Sequence, residues 1–535
     1  MKKIIIILFF FTTTNCSFDN KTGIWKDTSE KVVTKNIEDI GNLKKNKNFK
    51  KNKLEDAFLE NKIFEEEKIS NLNSKVLIDK VEKNINWKEQ YLNSYNNISN
   101  IYYTNKIELI SKSKKLGKDS LFQSIIYNKN LIFSDQKGFI YVYSIKKKLK
   151  VSEFNFYQKK FKKYEKKISL TAHANKIFAA DNLGYIYALD LNKNKILWAK
   201  NFGIPFRSNI KIVEDNIIIA NQDNTIFSIN SFSGNVNWKF DTSLTPLKSD
   251  FINSIVVDKE NKSILFLNTS GEFYSINYVN KRVNWILNFG MRADENTTSL
   301  FFSLPLTLKK DHIFISAQNT FSKYNTISAE KLWSIPLSVN IKPVLTTENI
   351  FLFTKNNLLV CLDSVSGDII WSRNIFKQSN AEKGVNIKEA DKFKLMGPIA
   401  AIKALNQSNR EKLKIKETKL KNENKKVKKS FWKNPIAAIS RSNREKLELG
   451  TDVGEGIFKE PIILDERYGA INNLYMAANK LFLFTAGGNL MTFNPNTGKL
   501  SFNTKIANSI AADSPMFVNG KLYFFDNSSR FYQYE

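Results

Sequence analysis

The sequence predicts an all-β chain: an eight-bladed β-propeller with four-stranded antiparallel blades, the last blade closed by an N-terminal strand. Three observations predict it. One pattern of apolar strand, polar turn, alternating strand, Gly or Asn turn and a strand opening with Trp recurs at 176–198, 216–238, 263–285, 312–333 and 349–371. The tryptophans closing these copies, Trp198, Trp238, Trp285, Trp333 and Trp371, recur every 38–48 residues, the length of a four-stranded blade. The units are rich in Ile, Val, Phe and Tyr and alternate with period two, which rejects the paired-helix repeats of similar length.

The chain opens on Lys2 and Lys3, an apolar run from Ile4 to Phe11, and small polar residues ending in Asn15-Cys16. This is the layout of a signal peptide, expected over 1–16, and its apolar run is shorter than the roughly 20 residues a membrane-spanning helix needs. Cys16 stands where a lipoprotein signal carries its acylated cysteine, although Thr13-Thr14-Asn15 departs from the small residues usual before it. Residues 17–86 are Lys-, Asn- and Glu-rich and read as a polar, partly disordered tether, with Leu54, Phe58, Leu59 and Ile63 at helical spacing.

The propeller is assigned to 87–535. Weaker copies at 130–154 and 480–502 place Phe near or at the tryptophan position. The last copy, 521–535, stops before its fourth strand, so a strand at 106–113 is expected to complete it. The repeated Trp positions are expected to pack between blades, and Asp190, Asn230 and Asp363, which share one place in the repeat, to serve turns.

The only other cysteine, Cys361, lies in an apolar strand, so a disulfide framework, a paired-cysteine redox centre and a thiolate metal site are excluded by count. It is expected to be a small buried hydrophobe. The formal charge is +30 at pH 7, which favours acidic proteins or anionic lipid as partners; with an export signal, nucleic acid is not expected. Much of the charge is local. Residues 377–458 form an insertion between blades 6 and 7 with no propeller pattern, carrying 20 Lys/Arg against 7 Asp/Glu between 377 and 446. Within it, Pro398-Ile399-Ala400-Ala401-Ile402 recurs as Pro435-Ile436-Ala437-Ala438-Ile439, and Ser408-Asn409-Arg410-Glu411-Lys412-Leu413 as Ser442-Asn443-Arg444-Glu445-Lys446-Leu447. The echo reads either as paired docking elements on a basic linker or as a tolerated surface duplication.

The stretches 188–198, 228–238 and 361–371 resemble the repeat of the pyrroloquinoline-quinone-repeat propellers. With the lipoprotein-like leader, the blade order, the Phe502 in place of Trp and the terminal strand after Asn519-Gly520, the chain most resembles the BamB family of outer-membrane protein assembly lipoproteins. The stretch 87–100 resembles the Trp-containing segment that precedes the first blade in some members. The resemblance implies a non-enzymatic scaffold without cofactor or metal, lipid-anchored at the periplasmic face of the outer membrane. Its implied partners are a BamA-like assembly protein, other lipoproteins of the complex and unfolded outer-membrane proteins. It also implies partner contacts in the loops after blades 3 and 4, with Leu244, Leu247 and Lys248 in the first and Arg292 and Asp294 in the second. Exposed leucines beside a cation suit an apolar anchor with a charged rim, or else simply cover the propeller edge.

Two other classes stay open on the sequence. The superfamily includes quinone-dependent dehydrogenases, which need a quinone pocket, calcium ligands and a catalytic Asp at the axis. No such constellation is recognisable here, and His173 and His312 fall in different blades. A general envelope adaptor acting through the basic insertion needs only loops and blade edges.

Overall fold

The computed structural model describes residues 16–18, 25–27, 67–68, 76–157, 161–244, 253–289, 301–317, 319–376 and 468–535. The basic insertion and most of the tether lie outside them. The chain divides into two units, 1–66 and 67–535. In the first, strands Cys16–Phe18 and Trp25–Asp27 pair antiparallel, Cys16 opposite Asp27.

The second unit is a ring of eight four-stranded antiparallel sheets. Blades 1 to 7 occupy 121–155, 168–201, 211–241, 255–288, 307–335, 344–374 and 471–505, and in each the strands lie in sequence order. Blade 8 takes three strands from 516–534 and its fourth from Leu109–Lys115, which pairs with Arg530–Tyr534. The closing strand thus begins three residues later than 106–113, because Asn105 and Ile107 take positive φ (62° and 57°) and the chain extends only from Glu108, whose N–H and C=O both bond Glu535.

The three inner strands of a blade are buried and the fourth is more exposed: Tyr185–Asp190 is mostly buried whereas Lys195–Asn201 is mostly exposed, and only in blade 6 is the fourth strand, Ile369–Asn374, itself buried or half-buried throughout. Apolar side chains on both faces of the inner strands therefore build cores between neighbouring blades. One cluster joins Ile218 and Ile226 of blade 3 to Phe266 and Tyr274 of blade 4; another joins Phe351 and Trp371 of blade 6 to Met476 and Leu483 of blade 7. Cys361 is buried in the latter, its thiol pKa pushed well up by burial with Asp363 adding to the shift.

Tryptophan sits inside the fourth strand and not at its opening, after a bulge that recurs from blade to blade. Its indole packs on the next blade. Trp198, Trp285, Trp333 and Trp371 donate from Nε1 to the carbonyls of Ser231, Thr326, Ser364 and Pro495 at 3.1, 2.9, 3.3 and 2.9 Å. Gly498 shows why small residues occupy that turn: its φ is +65°, and a Cβ there would lie 2.5 Å from the Trp371 ring. Asp190, Asn230 and Asp363 each accept, through Oδ1, the turn N–H groups two and three residues on, as the repeat predicts. In blade 1 the tryptophan place is Ser152, opposite Val142, and Phe154 pairs two residues further along, opposite Ile140.

Candidate functional site

The loop after blade 3 leaves Val236–Asp241 through Thr242 and Ser243. Ser243 is held at its root: its Oγ donates to Glu272 Oε1 (2.7 Å) and its carbonyl accepts Asn224 Nδ2 (3.0 Å). Burial pushes the Glu272 carboxyl up, but hydrogen bonds from Tyr274, Ser243 and Asn268 outweigh it and leave the pKa lowered, so Glu272 stays ionised as an acceptor. From this fixed root Leu244 projects with 69% of its surface exposed. Leu247, Lys248, Arg292 and Asp294 lie outside the described residues, as does the Cys16 side chain.

A second feature was invisible in the sequence. Residues 84–104 make one circuit of the ring, bonding the inner strand of every blade in turn. Asn84 bonds Phe517 and Asn519 of blade 8, and Trp87 exchanges two backbone bonds with Ile126 of blade 1. Lys88 O accepts Ala172 N of blade 2, and Asn93 O accepts Lys211 Nζ of blade 3. Ser94 O and Tyr95 O accept Val257 N of blade 4 and Leu308 N of blade 5; the Asn97 side chain pairs with both backbone groups of Leu345 in blade 6. Ile101 bonds Met476 and Ala478 of blade 7, and Thr104 returns to Gly520 of blade 8.

The tether's last residues are also packed. Val76 is buried, Leu77 N donates to Asn349 Oδ1, and Asp79 binds Lys309 and Thr347 N. The described propeller contacts thus start before residue 87.

Apart from Lys211, which opens its strand and reaches the circuit with its side chain, these bonds fall toward the carboxyl ends of the inner strands, so the circuit covers one end of the axis. Against the circuit lies a chamber of about 210 Å³, with Trp87, Gln90, Tyr91 and Ile98 as its floor and Leu304 and Pro305, just ahead of the blade 5 inner strand, in its lining. Lys342 and Asp513 line its wall. Burial and the nearby Lys211 lower the Lys342 pKa to about 8 against the pull of Asp513. The Asp513 carboxyl, open to the chamber but ringed by protein, is raised by burial while Asn473, Gln90 and Lys342 hold it down. Gln90 Oε1 and Asn473 Oδ1 are buried without a hydrogen-bond partner among the described residues. Such a chamber suits water or a small polar solute. It does not fit a calcium-assisted quinone site: Asp513 is the one carboxylate among its lining residues, Lys342 also lines it, and calcium takes six or more oxygens. Among the described residues no group of three or more His, Cys, Asp or Glu stands together to hold a metal, and no helix is long and apolar enough to cross a membrane.

Residues 151–373 match the sequence model of a family described as outer membrane protein assembly factor BamB. No curated protein matches the chain. Among solved structures, BamB from Moraxella catarrhalis aligns over 80% of this chain and 99% of its own at 10% identity, with a TM-score of 0.52. Quinohemoprotein alcohol dehydrogenase from Comamonas testosteroni aligns over 84% and 80%, again at 10% identity, with 0.51. Saccharomyces cerevisiae Sqt1 aligns over 80% and 99% at 9% identity, with 0.50. At these identities the likeness shows the fold; the sequence match over 151–373 is what separates the three. Residues 151–373 are thus similar in sequence to the outer membrane protein assembly factor BamB family, and the eight-bladed ring has the fold of the solved BamB structure.

Proposed function

We propose that this chain is a non-enzymatic scaffold of outer-membrane β-barrel assembly, exported and anchored through Cys16 at the periplasmic face of the outer membrane. It binds the periplasmic part of a BamA-like component through the loops after blades 3 and 4. The match of residues 151–373 to the BamB model carries the reading. The circuit of 84–104 supports it, because the chain's own backbone fills the end of the axis and leaves a chamber whose donors do not suit quinone chemistry.

Physically, Leu244 on a fixed root supplies an exposed apolar anchor, and Leu247 and Lys248 follow it in sequence. An anchor of this kind adds affinity when a partner covers it and costs the free protein little. The test is binding of the purified periplasmic domains of the BamA-like protein to wild type, Leu244→Glu and Leu247→Glu. The expected result is at least about tenfold weaker binding by the variants, the effect of removing a modest hot spot, at unchanged melting temperature. Full affinity in both variants would remove the blade 3 loop as the contact.

A further inference from the structure

At seven seams of the ring the fourth strand, or the residue that follows it, supplies an aromatic side chain, and at one it does not. In blades 2 to 6 the fourth-strand residue opposite Ala188, Ser228, Ser275, Lys323 and Cys361 is a tryptophan, and in blade 7 the residue opposite Thr492 is Phe502. The seam from blade 1 to blade 2 has Ser152 at this place, but Phe154 stacks on Phe156 and Phe156 on Tyr187 at 4.2 Å, so aromatic rings fill it. In blade 8 the equivalent residue, opposite Gln533, is Ser111. Among the described residues no aromatic replaces it, and a cavity of about 320 Å³ opens there, lined by Ser111, Tyr143, Ile145 and Phe531.

The cavity retains the partner groups that an indole uses elsewhere. The indole acceptor in blade 3 is Ser231, whose N–H bonds Asp215 O; Ile145 of blade 1 holds the same place, its N–H bonding Lys129 O at 3.2 Å. Tyr143 and Phe531 meet edge to face at 6.2 Å and supply aromatic wall. Roughly 150 Å³ admits benzene in a protein core, so the space takes an aromatic ring with room for the strand that bears it. Charge names the rest of the ligand. Lys112, Lys114 and Lys148 line the cavity with no carboxylate among its lining residues, and Lys146 and Lys147 are exposed on the same turn. The chain's own Trp432 lies among Lys428, Lys429 and Lys433 and would meet like charge.

We propose that the seam between blades 8 and 1 is a binding slot for an aromatic side chain, indole above all, borne on an acidic segment of a partner protein. The ring enters the place left by Ser111, its N–H donates to Ile145 O, and flanking carboxylates meet the lysines. The slot rests on the scaffold reading only in having a protein as its partner, and it is separate from the blade 3 loop, so either can fail alone.

The test uses full-length protein in detergent and a dye-labelled peptide with Trp between Asp-Glu pairs, followed by fluorescence anisotropy, with an Ala-for-Trp peptide as control. Wild type is expected to bind the Trp peptide, more weakly as salt rises, and at least about tenfold tighter than the control. Ser111→Trp, which fills the slot from within as in five other blades, is expected to lose this binding and to raise the melting temperature. Lys148→Glu, an exposed turn change, weakens binding without altering stability and decides the matter if the tryptophan variant does not fold. No binding by wild type, equal binding of the two peptides, or undiminished binding by both variants overturns the proposal.

Discussion

Lys211 and Glu89 meet at 3.0 Å where blade 3 touches the axial circuit, with side chains 1% and 12% exposed. The same ammonium donates to Asn93 O (2.7 Å) and Asn96 Oδ1 (2.6 Å), so one lysine satisfies three acceptors of a segment more than a hundred residues away in sequence. Burial lowers its pKa and Glu89 offsets only part of that shift, so the charge is tolerated while the circuit is in place.

Lys211→Met therefore strands the Glu89 carboxylate and two further acceptors. The expected cost is about 3–5 kcal/mol, read as a lower urea midpoint and faster amide exchange across 84–104. Removing both charges with Lys211→Met and Glu89→Leu recovers part of that loss, since an apolar pair carries no desolvation penalty. An unchanged midpoint in the single variant would show that the circuit is not held there.

The clamp at Asp79, ahead of the circuit, is acid-sensitive. Burial raises the Asp79 carboxyl, but Lys309 and the Thr347 N–H outweigh it and hold the pKa below its usual 3.8. A carboxyl depressed in the folded state stabilises above its unfolded value and loses that contribution as pH falls through the folded one. Asp79→Asn is thus expected to cost about 2 kcal/mol at pH 7. Denaturation of both forms from pH 7 to 2 should show this gap narrowing only below 3.8.

Two glycines separate backbone strain from steric contact. Gly203 has φ +75° with nothing within 4 Å of a built Cβ, so Gly203→Ala costs about 1 kcal/mol of left-handed strain. At Gly498 the Trp371 ring stands 2.5 Å from that Cβ, and the ring is fully buried with its N–H on Pro495. Gly498→Ala is expected to cost about 1–3 kcal/mol more, the price of overpacking a core, in thermal unfolding. Equal losses would place the indole elsewhere.

The blades were legible because their information is local: alternating apolar residues, a turn Asx and a tryptophan recur within each 38–48 residue unit. Trp371 and Asp363 could be assigned roles from position alone, and the structure gives them those roles. The circuit was not legible. Its asparagines, Asn93, Asn96 and Asn97, look like solvated linker until they meet backbone groups at the ends of inner strands, which no periodicity announces. Phe154 lies near the tryptophan place but two residues beyond it, since Ser152 faces Val142 across the same bulge that the other blades carry. The vacancy at Ser111 required knowing which residue faces Gln533 across the closed ring.

The scaffold reading meets its most direct test in an affinity pull-down of the detergent-solubilised protein from its own cell envelope, with a form lacking 377–458 in parallel and partners identified by mass spectrometry. The account predicts that both forms recover a BamA-like barrel protein. Recovery of a different envelope protein, or loss of every partner from the shortened form, would contradict it and move the function to the basic insertion.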